Sequence, residues 1–166
     1  MSIRFIMLAA SLAVAPASLV GCGLDTPTAT RTVQLAVIAG AEHGGTLFST
    51  HMTQEVTTAP PWTGDPDGTG LALIRVTGQG ELCWKMYVRD IALPATSSHI
   101  HKAVPGVRGD IVVVLSPPDA TGKAIGCTSG LNSDLLREIL ESPASFYVNV
   151  HTTDFPAGAI RGQLPR

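Results

Sequence analysis

The stretch that decides how this chain folds is SHIHKAVPGVRGDIVVVL, residues 98–115. It opens with His99 and His101, passes through a bend rich in proline and glycine, and ends in an apolar β-branched run. Side chains alternate between the two faces of a strand, so both histidines are predicted to project from one face, with Ile100 on the other. Their Cβ atoms then lie roughly 7 Å apart, which lets two imidazoles converge on one metal ion at about 2.0–2.1 Å per bond.

A second stretch supplies a further histidine: FYVNVHTTDFPAGAIRGQL, residues 146–164, carries His151 near the end of a predicted strand. If this strand is a neighbour of the first one, three imidazoles meet. All-imidazole ligation suits copper or zinc. We therefore predict a copper or zinc site formed by His99, His101 and His151.

His51 is predicted to be the fourth ligand of this site. It lies on a predicted strand over residues 46–52, in which positions 47, 49 and 51 share a face. A second interpretation stays open beside the metal site. In that interpretation the histidines donate ring N–H groups to backbone carbonyls, hold loops in place and bind no metal.

The two stretches together resemble the CHRD domain, a module named after its occurrence in chordin and also found in exported bacterial proteins. The resemblance rests on HIH, GVRGD and VVVL in the first stretch and on YVNVHT and FPAGAIRGQL in the second, and it covers roughly residues 44–164. It implies an antiparallel β domain. It does not imply a defined biochemical role.

The N-terminus is predicted to be a targeting segment, with a signal peptide of the lipoprotein type over residues 1–21. Arg4 provides a positive start, and an apolar stretch follows it. The tetrapeptide LVGC is similar to the lipobox of bacterial lipoproteins, which implies that Cys22 becomes the lipidated first residue. Residues 22–31 then form a tether to a domain over 32–166, and the protein is expected in the cell envelope, anchored to the membrane by lipid on its extracytoplasmic side. A plain secretory leader or an uncleaved anchor is the alternative.

Two cysteines remain when the lipidated residue is set aside. Cys83 and Cys127 form an even pair in an oxidising compartment, so we predict a disulfide between them. The alternative is a pair of buried free thiols.

The remaining pattern is that of a β domain. Strands are predicted over 33–37 and 46–52, and a hairpin over 70–76 and 81–88. After Asp110, residues 111–115 are all apolar, so 110–115 is predicted to be a strand buried on both faces, whereas the proline-rich segment 59–68 is predicted to be a long loop. One helix is predicted between an N-cap at Ser133 and a stop at Pro143. The fold class is mainly β: an antiparallel Greek-key β-sandwich or flattened barrel of about seven or eight strands with one short helix.

Composition limits the classes of function. The chain is 45% hydrophobic and 14% charged, and its formal net charge is −2 without a basic patch, which excludes nucleic acid as the expected partner. Binding, to a metal or to an extracellular protein partner, is favoured over turnover. One alternative is a copper-dependent enzyme like superoxide dismutase, suggested by the His-x-His pair, the disulfide and Arg161, although the zinc-loop pattern of those enzymes is absent. The other is an interaction module with structural histidines.

Overall fold

The computed structural model describes residues 44–58 and 61–166. Within these ranges the chain forms ten strands, one α-helix and a short 3-10 turn, Pro143–Ser145. In chain order they are β1 (Gly45–Gln54), β2 (Val56–Thr58), β3 (Pro61–Thr63), β4 (Thr69–Thr77), β5 (Leu82–Arg89), β6 (Ser97–Lys102), β7 (Asp110–Leu115), β8 (Lys123–Thr128), α1 (Ser133–Glu141), β9 (Phe146–His151) and β10 (Ile160–Gln163).

Eight of these strands form one antiparallel sheet in the order β7-β6-β9-β10-β1-β4-β5-β8, and β2 and β3 form a separate two-stranded ribbon. Strand β1 joins the two halves of the sheet, because its residues 45–52 pair with β4 whereas Thr53 and Gln54 pair with β10. The sheet curls until it is nearly closed into a barrel. The predicted fold class is confirmed.

The near-closure of the barrel is visible between its two edge strands, β7 and β8. The indole Nε1 of Trp84, on β5, donates to Ser116 Oγ at 3.1 Å, directly after β7. Ser116 Oγ in turn lies 3.5 Å from the carbonyl oxygen of Ile125 on β8. The interior between the strands is filled by alternating apolar side chains, including Phe48, Met52, Ile74, Leu82, Trp84, Met86, Ile100, Val148, Val150 and Ile160.

The predicted hairpin and helix are present. Strands β4 and β5 pair from Thr69 to Val76 and from Leu82 to Arg89. The N-cap of α1 is Asn132 and not the predicted Ser133: the Asn132 side chain accepts from the backbone N–H of Asp134 at 2.7 Å. Both residue types are good caps, and the sequence does not show which of two adjacent candidates has the extended backbone a cap requires. The helix ends at Glu141, before Pro143, as predicted.

Two details of the predicted strands are wrong. Strand β7 is not buried on both faces, because its outer face is open to solvent: Ile111 is 51% exposed and Val114 69%. Part of the predicted loop is a strand, since Pro61–Thr63 pairs with Val56–Thr58. Proline is tolerated there because it is the first residue of a strand in a ribbon with two edges.

The predicted disulfide is confirmed. Cys83 and Cys127 face each other directly across β5 and β8, with their Cα atoms 3.9 Å apart. The signal peptide over 1–21, the tether over 22–31 and the strand predicted over 33–37 lie outside the described residues. Among the residues that are described, no helix has the length and apolar character needed to cross a lipid bilayer.

Candidate metal site

The two sequence stretches that carry histidines fold into neighbouring strands. Strands β6 and β9 are antiparallel, with His99 opposite Asn149 and His101 opposite Tyr147. The apolar residues of β6 and β9 that alternate with these positions point into the barrel, so the polar residues of both strands point out of it. The outer face of this strand pair therefore carries five aromatic or polar side chains together: His99, His101, Tyr147, Asn149 and His151.

The three histidines approach one another on this face. His99 Nδ1 lies 3.2 Å from His151 Nε2, and the ring centroids of His99 and His101 are 5.4 Å apart. One ligand atom from each of the three lies within 4.8 Å of the other two. Tetrahedral bonds of about 2.0–2.1 Å would hold such atoms about 3.3 Å apart. The atoms of the first pair already have this spacing, and the widest separation in the set exceeds it by at most about 1.5 Å.

Backbone carbonyls fix the orientation of two of the rings. His101 Nδ1 lies 2.8 Å from the carbonyl oxygen of Gly109, and His151 Nδ1 lies 3.0 Å from that of Pro156. A carbonyl oxygen only accepts, so each Nδ1 carries the hydrogen and each neutral ring has its lone pair at Nε2, on the side of the cluster. Ligating histidines in metal sites usually make this second hydrogen bond. Histidines that only hold loops in place would make the same hydrogen bonds. This part of the geometry therefore agrees with the metal site and with the structural interpretation alike.

Electrostatics favour neutral imidazoles here. Burial, together with the neighbouring His151 and His101, lowers the pKa of His99 from 6.5 to about 4. Burial also lowers the pKa values of His101 and His151. Only the neutral ring ligates a metal, so the cluster is in its ligating form at neutral pH.

Two polar residues of the site were missed by the sequence reasoning. Asn149 Oδ1 lies 3.1 Å from His101 Nε2, and Asn149 Nδ2 donates to Glu55 Oε2 at 3.2 Å. Glu55 is 1% exposed, and burial raises the pKa of its carboxyl. Asn149 had a signal in the sequence, because alternation in YVNVH places it on the face of His151. Glu55 had none, since it follows β1 and reaches the site only through the fold.

Two stacked side chains, Tyr147 and Arg161, support His101 from one side. The Tyr147 ring lies parallel to that of His101 at 4.8 Å, and the Arg161 guanidinium carbon lies 3.3 Å from the Tyr147 centroid. Arg161 also donates to the carbonyl oxygens of Val104 and Val107, at 3.0 and 2.7 Å. It therefore secures the loop between β6 and β7, whose Gly109 carbonyl orients His101.

A comparison with models of protein families shows to which family the chain belongs. Residues 48–164 match the model of the CHRD domain family. The chain belongs to the CHRD domain family. The comparisons with curated proteins and with solved structures find no match. In this CHRD domain the first family motif forms β6 and β7 and the second forms β9 and β10, and the pairing of β6 with β9 brings their histidines together.

The fourth predicted ligand of the CHRD domain is not brought to this cluster. His51 is exposed on β1 and lines an open cavity of about 520 Å³ with Leu71 and Tyr87. Strand β10 lies between β1 and β9, and two strand spacings of about 4.8 Å separate His51 from the strand of His151. Sequence alternation gave the face of His51 but not the position of its strand in the sheet.

Proposed function

We propose that this CHRD domain is a binding module of the cell envelope, and that it binds Cu²⁺ or Zn²⁺ through His99, His101 and His151. One observation carries the proposal: two imidazoles are held at Nδ1 by carbonyl oxygens, which leaves their Nε2 lone pairs free, and one ligand atom from each of the three histidines lies within 4.8 Å of the other two. Each of these rings supplies one neutral nitrogen donor. The protein contributes the fixed ring orientations and the partly desolvated surroundings.

Titration calorimetry tests the metal binding near pH 7. We expect the wild-type chain to bind about one equivalent of Cu²⁺ or Zn²⁺. His101→Ala removes a donor and should weaken binding strongly, whereas His51→Ala is the matched control, because it removes an imidazole that lies outside the cluster. A wild-type chain that binds neither ion would leave the three histidines as structural hydrogen-bond donors in an interaction module.

We further propose that the domain is anchored to the membrane through lipid on Cys22. The support is the LVGC tetrapeptide at residues 19–22, with cysteine at the position that lipidation requires. Mass spectrometry of the membrane fraction should find an acylated Cys22 as the first residue, and Cys22→Ala should release the protein or block its processing. A mature N-terminus elsewhere, without an acyl mass, would contradict this proposal.

A further inference from the structure

The place where a fourth ligand would be needed is filled by an amide. We infer that the side-chain oxygen of Asn149 is a fourth donor to the metal ion of the three histidines, and that Glu55 orients this amide as a positioning residue. The inference rests on the proposed metal binding and gives the fourth position to Asn149 in place of His51.

The position of Asn149 within the strand pair is the first support. It lies directly opposite His99, between the positions of His101 and His151 on the same face. Its Oδ1 atom is 3.1 Å from His101 Nε2, a separation close to that of two ligand atoms on one ion. The oxygen therefore reaches a coordination position without a change in the backbone.

The orientation of the amide is the second support. A carboxylate oxygen accepts hydrogen bonds, so the amide nitrogen of Asn149 faces Glu55 and the amide oxygen faces the histidines. Glu55 has little freedom to move, because it is buried and its carboxylate rests on Gly158, where a Cβ atom would overlap it. Glu55, on the other side of the amide from the histidines, thus determines that the oxygen of Asn149 and not its nitrogen faces the cluster.

The contact between His101 and Asn149 is the third support. Nδ1 of His101 donates to the Gly109 carbonyl, so the neutral ring presents a lone pair at Nε2, and the atom it faces, Asn149 Oδ1, is also an acceptor. Two lone pairs that face each other across 3.1 Å repel unless a cation or a proton lies between them. A metal ion satisfies both atoms at once.

The donor set then indicates the class of ion. Three imidazole nitrogens and one amide oxygen contain no thiolate or thioether, the soft ligands that select Cu⁺. The site is therefore one for a divalent ion, Cu²⁺ or Zn²⁺.

The test uses Cu²⁺ alone with the full-length chain and combines competition titration with electron paramagnetic resonance. Asn149→Ala removes a donor and should weaken Cu²⁺ binding by at least the roughly 10–100-fold that loss of an outer-shell partner costs, and it should change the parallel g value and the copper hyperfine coupling. Electron spin-echo modulation should still count three imidazoles. His51→Ala is the control and should leave the affinity and the spectrum unchanged.

A second variant exchanges the two side-chain types and keeps their hydrogen bond. In Asn149→Asp with Glu55→Gln, the amide at 55 donates to a carboxylate at 149, which places an anionic oxygen at the same coordination position. This double variant should bind Cu²⁺ at least as tightly as the wild type, with a spectrum shifted from the wild-type one. Thermal unfolding of each metal-free variant reports whether it folds, and the exchange variant decides the matter if Asn149→Ala does not fold.

The outcomes separate this inference from the function on which it rests. A wild-type chain that binds neither Cu²⁺ nor Zn²⁺ overturns both. Binding that depends on His101 but has the same affinity and spectrum in Asn149→Ala overturns only the role of Asn149. A folded exchange variant that has lost Cu²⁺ binding also overturns only the role of Asn149, and so does a loss of affinity in His51→Ala. In these cases a proton, and not a metal ion, lies between His101 and Asn149.

Discussion

Gly158 of the FPAG sequence is the position where a single methyl group should disturb the site most directly. Its φ of +135° lies in a region that residues with a Cβ atom rarely adopt, and a Cβ atom there would overlap Oε2 of Glu55. Gly158→Ala therefore makes two demands on the fold. The backbone must keep a strained conformation, and the Glu55 carboxylate must leave its place against residue 158 and its hydrogen bond with Asn149.

The size of the effect follows from these two demands. The backbone strain costs about 1–2 kcal/mol, as for other L-residues in left-handed conformations. Loss of the buried hydrogen bond between Asn149 and Glu55 costs about 1–3 kcal/mol. We therefore expect Gly158→Ala to lower the free energy of unfolding by about 2–5 kcal/mol, a large part of the roughly 5–15 kcal/mol typical of a domain. With a urea m-value of about 2 kcal/mol per M, the unfolding midpoint should fall by about 1–2.5 M.

Urea unfolding of the metal-free protein, followed by tryptophan fluorescence, measures this loss, and a double-mutant cycle divides it into its parts. In a Glu55→Ala background the added methyl group no longer meets a carboxylate, so Gly158→Ala should cost only the strain of about 1–2 kcal/mol. Gly130→Ala is the matched control, because Gly130 has a φ of +75° and no atom lies within 4 Å of the place that a Cβ atom would take. If the stability losses of Glu55→Ala and Gly158→Ala add within about 0.5 kcal/mol in the double variant, the two residues are not coupled. The contact with Gly158 would then not hold Glu55 in place, and the reasoning would be refuted.

Three further predictions concern stability and its dependence on pH. Replacing Cys83 and Cys127 together by serine should lower the free energy of unfolding by about 4 kcal/mol, because the bridge spans 44 residues, and urea unfolding with and without reductant measures this loss. Because the pKa of His99 is about 4 in the fold and about 6.5 when unfolded, the unfolded chain binds this proton first, so the melting temperature of the metal-free protein should fall as the pH drops from 6.5 to 4. That slope should be shallower in His99→Asn, and an identical slope would contradict the assignment. Arg161→Met should cost about 1–3 kcal/mol in urea unfolding, since the Val107 carbonyl loses its guanidinium donor while the Val104 carbonyl keeps the backbone N–H of Val107, and Arg161→Lys should recover only part of this loss because an ammonium lacks the planar fork that stacks on Tyr147.

The sequence predicted those parts of the site that depend on local alternation. It placed His99 and His101 on one face, put His151 at the end of a strand, and paired Cys83 with Cys127. These features follow from the two-residue period of a strand and from counting cysteines, and neither needs knowledge of the neighbouring strand.

The order of the strands decided the rest and lies beyond local pattern. Whether His51 joins the cluster depends on β10, which pairs between β1 and β9 and comes last in the sequence. The exposure of Ile111 and Val114 depends on whether another element covers the outer face of β7, and an apolar run has the same composition whether one face or both are covered. Glu55 reaches the site from the segment between β1 and β2, and no periodicity connects it with Asn149.

Hydrogen bonds and one close contact join the residues of the two CHRD motifs into a single network. The carbonyl of Gly109 orients His101, that of Pro156 orients His151, and Gly158 makes room for the carboxylate that turns Asn149. A network that served only to hold loops would be complete if a donor faced Nε2 of the neutral His101 ring. The atom that faces it is the amide oxygen of Asn149, held in that direction by Glu55. An acceptor at this point would stabilise a bound cation and destabilise the empty, neutral site, so metal titration of the wild-type chain decides between the proposed metal site and a purely structural cluster.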